Sequence, residues 1–95
     1  MGPSAEVTTG EPVTDDRLPG IDALLSSIAA TVARTKKGRN WTVLIEGRPF
    51  YLSVTAPNCI TLTAGLNAPR DYDTLRRLGQ SLAGLLQGTA SEPVK

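Results

Sequence analysis

The chain has no histidine and a single cysteine, Cys59. Without histidine, the commonest general base and the commonest metal ligand are both missing. One thiol with no imidazole cannot make a Cys–His nucleophile pair. A zinc site wants about four ligands, usually Cys and His, so no metal and no cofactor is expected. A lone cysteine also excludes an internal disulfide and suits a reducing compartment, although it could still bridge two chains.

Other absences narrow the field further. No apolar stretch approaches the roughly 20 residues that a membrane span requires. No basic segment leads into an apolar run at the start, so no signal peptide is expected. The formal net charge is +1, which favours neither a strongly basic nucleic-acid binder nor an acidic protein. No G-x-S-x-G, G-x-G-x-x-G or P-loop pattern occurs. The carboxylate pairs Asp15–Asp16 and Asp71–Asp73 fall in a presumed tail and at a helix start. Ser26 and Ser27 have no visible partner base. The expectation is a cytoplasmic protein that is not an enzyme.

With 95 residues, the chain suits one small domain. Residues 1–19, "MGPSAEVTTGEPVTDDRLP", are rich in Gly, Pro, Thr and acid without apolar periodicity, and read as a flexible tail. Residues 1–4 resemble a cloning remnant and stand outside the fold reasoning. Residues 89–95 read as a second flexible tail. That leaves about 70 residues, 20–88, for a single α-β-β-β-α domain that buries only about 60% of its unfolded surface. Self-association is one of the few remaining sources of extra stability.

Within that domain, residues 21–36 carry Ile21, Leu24, Leu25, Ile28, Val32 and Ala33 at the spacing of one helical face. Asp22 in the first turn and Arg34, Lys36 and Lys37 in the last suit the helix dipole, with Gly38 as the stop. Residues 41–46 and 50–55 read as strands joined by a type I′ turn at Glu46–Gly47. Pro49 selects the register in which Leu44 faces Pro49, because its missing N–H then falls in a non-hydrogen-bonded pair. Val43 then faces Phe50, and Trp41 faces Leu52. A three-residue loop "APN", 56–58, leads to strand 59–63, with Val54 opposite Ile60 and Leu52 opposite Leu62. Residues 71–87 form a second helix with Tyr72, Leu75, Leu78, Leu82, Leu85 and Leu86 as its stripe. Gly79 and Ala83 on that helix predict close approach of the alanine-rich part of the first.

These elements predict an α+β fold: helix, three-stranded antiparallel meander, helix, in two layers with both helices on one sheet face. The far face then carries Thr42, Leu44, Glu46, Tyr51, Ser53, Thr55, Cys59, Thr61 and Thr63, with one charge. A water-washed sheet face usually holds more charge. In the simple meander, strand 59–63 is also an edge with no Lys or Pro to deter pairing. The expected function is a small protein-interaction module that binds itself or another protein through Leu44, Tyr51, Ser53, Cys59, Thr61 and Thr63. The alternative is a nucleic-acid-binding regulator using Lys36, Lys37, Arg39, Arg70, Arg76 and Arg77, with Trp41 for base stacking.

Overall fold

The computed structural model describes residues 2–35 and 39–95. In chain order it has β1 (Ser4–Thr9), a 3-10 turn (Asp15–Arg17), α1 (Leu18–Ile28), β2 (Thr31–Arg34) and β3 (Asn40–Ile45). β4 (Arg48–Ala56), β5 (Cys59–Ala64), α2 (Pro69–Leu86) and β6 (Gly88–Ala90) follow. The fold is mixed α+β. Its sheet is antiparallel and has six strands in the order β2-β3-β4-β5-β1-β6, not the three expected.

The central hairpin follows from local turn chemistry. Glu46 and Gly47 have φ of 53° and 76°, the double positive value of a type I′ turn. The register is the expected one, with Val43 opposite Phe50 and Leu44 opposite Pro49. Val54 does oppose Ile60, but a bulge between Val54 and Ala56 pairs Ala56 with Cys59. The connection therefore narrows from three residues to Pro57–Asn58.

The three additional strands correct the sequence reading. The presumed N-terminal tail supplies β1, whose Ala5, Val7 and Thr9 are buried in strict alternation. β1 pairs with β5, from Ser4 opposite Thr63 to Thr8 opposite Cys59. Strand 59–63 is therefore internal, and its edge is unavailable to a partner. Residues 2–4 also belong to the fold: Gly2 N–H donates to Ala64 O at 3.1 Å, and Ala64 N–H to Pro3 O at 2.9 Å. A Cβ on Gly2 would lie 1.9 Å from the Leu66 carbonyl oxygen, so the chain passes there only as glycine.

The presumed C-terminal tail supplies β6, which pairs with β1, and Val94 forms a further bridge to Ser4. The first helix is shorter than its periodicity predicts. Ala29 turns extended (φ −110°, ψ 145°), and Thr31–Arg34 then pair with β3 as β2. Thr31 and Val32 are β-branched and favour a pleated surface. The expected stop at Gly38 lies outside the described residues.

One cluster of buried residues joins the layers. Trp41, Phe50, Leu52 and Ile60 from the sheet meet Ile21 and Leu25 of α1 and Leu75 and Leu82 of α2. Both helices thus cover the same sheet face, and each such side chain contributes roughly 1.5–3 kcal/mol by leaving water. Gly79 faces β6, not α1: a Cβ there would touch Ala90 at 3.4 Å. The α2 N-terminus is pinned by Asp71, which accepts from Ala68 N–H at 2.8 Å and pairs with Arg48 of β4.

Candidate interaction face

Side chains alternate across a strand, so the pairing fixes which residues share the helix-free face. One row across the sheet runs Ala33, Thr42, Tyr51, Thr63, Ser4. The next runs Asn40, Ser53, Thr61, Glu6. Leu44 and Pro49 lie beyond the first row, and Cys59, Thr8 and Thr89 beyond the second. The six residues expected to bind a partner, Leu44, Tyr51, Ser53, Cys59, Thr61 and Thr63, therefore come together on one face.

No element of the chain covers that face among the described residues. Leu44 is 38% and Tyr51 44% exposed, high values for large side chains in the middle of a sheet. Tyr51 leans toward Gly65, where a Cβ would come within 3.2 Å of its ring. Beside Tyr51 is a depression of about 220 Å³ lined by Asn40, Thr42, Ser53, Thr61 and Thr63 among others. Thr55 and Thr61 hydroxyls are 3.0 Å apart, and the Ser53 hydroxyl donates to Asn40 Oδ1.

Glu6 is the sole charged residue on this face among the described residues; Glu46, expected there, instead sits in the β3–β4 turn and lines a depression with Ile28, Thr74 and Arg77 of the helix layer. The Glu6 carboxylate meets no cation there and accepts only a long contact from Cys59 Sγ at 3.7 Å. Glu6, Thr8 and Ser4 are absent from the expected set because residues 4–9 show no apolar periodicity strong enough to mark a strand. Asn40 is absent because the expected strand starts one residue later.

The basic residues do not gather in the same way. Arg39 pairs with Asp15 at 2.8 Å and donates to Val13 O. Arg76 pairs with Asp73 at 2.9 Å and with Glu92 at 2.7 Å, and Glu92 raises its pKa. Arg70 and Arg77 are exposed on α2. Arg39 precedes β3, whereas Arg70 adjoins Asp71, which binds Arg48 opposite the end of β3. Six strand residues, about 20 Å, separate those two ends. Trp41 is 1% exposed and donates its indole N–H to Asp22 at 2.8 Å, so it is not free to stack on a base. Lys36 and Lys37 lie outside the described residues.

Two negative observations complete the site. No group of three or more Cys, Asp or Glu residues is placed to hold a metal among the described residues. No helix there is long and apolar enough to cross a membrane. No protein-family model, curated protein or solved structure matches this chain.

Proposed function

We propose that this chain is a small, non-catalytic protein-interaction module of the cytoplasm that binds through the helix-free sheet face. One observation carries the reading: Leu44 and Tyr51 stand exposed amid hydroxyls on a face with a single charge among the described residues. Hydroxyl-bearing side chains pack well against a flat partner and exchange hydrogen bonds with it. Aromatic side chains are enriched at the centres of interfaces. Strand 59–63 enters this account only through its side chains, since its backbone is paired with β1.

The test compares the intact protein with Tyr51→Arg. Self-association is followed by sedimentation, and partner capture is followed with each protein immobilised. The reading expects Tyr51→Arg to weaken self-association or to remove a captured protein while the thermal melt is unchanged. A wild-type chain that stays monomeric, with identical capture by both proteins, contradicts it.

A further inference from the structure

The rows on the open face can be matched to those of a second copy by a two-fold axis. The centre of the six-stranded sheet falls between β4 and β5. A two-fold axis lying against the face there, parallel to the strands, would lay β3 over β1, and β4 over β5, of a second copy. Each residue would keep its row. Asn40 of one copy would then lie over Glu6 of the other, Ser53 over Thr61, and Tyr51 over Thr63.

We propose that a second copy of this chain covers the face in this symmetric register, an inference that rests on the interaction reading above. Hydrogen-bonding complementarity supports it. Among the described residues Glu6 is the one charged side chain on the face, and the group laid against it is an amide donor. Asn40 Oδ1 is already occupied by the Ser53 hydroxyl, which leaves the Nδ2 hydrogens to meet the carboxylate. No like charges are brought together, because the two Glu6 side chains fall on opposite flanks of the axis. Tyr51, laid over Thr63, enters the depression beside the other copy's own Tyr51.

The area sets the strength. Six strands span roughly 25 Å and a five-residue strand runs about 17 Å, or about 400 Å² per copy before side-chain relief. That is about half a standard interface per partner, the size of weak, transient contacts. The register also separates the thiols. Cys59 of one copy sits one strand aside and one sheet spacing, about 10 Å, away from its counterpart, beyond the roughly 7 Å a disulfide tolerates.

The experiment is sedimentation equilibrium on the wild type, Asn40→Lys, Glu6→Gln and the double variant, with and without reductant. Asn40→Lys places an ammonium over each Glu6 and is expected to tighten the dimer about fivefold, since two exposed ion pairs form. Glu6→Gln in the same chain is expected to abolish that gain, and reductant to change nothing. Within one chain Asn40 and Glu6 are three strands apart, so the gain cannot arise inside a monomer. A dimer weakened by Tyr51→Arg but indifferent to Asn40→Lys overturns this register and leaves the interaction reading standing. A monomer at all concentrations whose captured partner is lost on Tyr51→Arg overturns the second copy alone. A monomer with capture unaffected overturns both.

Discussion

Arg48 and Asp71 form a two-pronged ion pair, with Nε to Oδ1 at 2.6 Å and Nη2 to Oδ2 at 2.7 Å. The Asp71 side chain is fully buried, and its carboxylate also holds the Ala68 N–H. The pair fastens the start of β4 to the first turn of α2. Removing one partner of a buried pair leaves the other uncompensated, which costs far more than losing an exposed pair. Asp71→Ala is expected to lower the urea midpoint well beyond the change from Glu11→Ala, which breaks the exposed Arg17 pair and costs about 0.5 kcal/mol. Equal shifts for the two variants would contradict this role.

The same pair sets the acid response. The hydrogen bonds from Arg48 are the largest influence holding the Asp71 carboxyl below its ordinary value of 3.8. The unfolded chain therefore takes up this proton at a higher pH than the folded chain. The contribution of Asp71 is present in full above about pH 4 and is lost as pH falls through the lower folded value. Asp16 is also held low, first by Thr14, but it is fully exposed and adds little. Stability measured in urea from pH 7 to pH 3 is expected to fall below about pH 4, and Arg48→Met is expected to flatten that fall. A wild type and variant with parallel profiles would rule out Asp71 as the responsible group.

Gly88 starts β6 where the backbones of β6 and β1 meet. A Cβ there would lie 2.2 Å from the Thr8 carbonyl oxygen, and backbone cannot give way as a side chain end can. Gly88→Ala is expected to destabilise by about 2 kcal/mol, the usual cost of forced overpacking. Thermal denaturation checks it. A variant as stable as the wild type would mean that β6 does not lie against β1 in this way.

Gln87 ends α2 in the left-handed region, φ 55° and ψ 46°, where glycine is the common residue. A side chain there costs roughly 1 kcal/mol. Gln87→Gly is expected to raise stability by at most about 0.5 kcal/mol, because the entropy that glycine gives the unfolded chain, about 0.4–1 kcal/mol, offsets most of that relief. Chemical denaturation reads the change, and a loss of stability would show that the Gln87 side chain makes a compensating contact.

What could be read from the sequence was what is decided locally. Glu46–Gly47 and Pro49 fix one hairpin register within ten residues of chain, and the leucine stripe of α2 needs no partner to be recognised. β1 carries no such mark: Ala5 is small and Thr9 is polar, and the partner strand lies more than 50 residues away. β2 was hidden because Val32 and Ala33 continue the helical spacing of Ile21, Leu25 and Ile28. Only the open edge of β3, where Thr31 pairs with Leu44, decides between the two readings. For the site, the hydroxyl-rich face was visible in the alternation of three strands. Glu6, its one charge among the described residues, belongs to the strand that local signals do not reveal.

The most direct test of the account follows backbone amide chemical shifts while the protein is concentrated from low micromolar to millimolar. Shifts that grow with concentration and cluster on the open face, around Asn40, Thr42, Tyr51, Ser53, Thr61, Thr63 and Glu6, are expected. Shifts confined to α1 and α2, or none over the whole range, would contradict it.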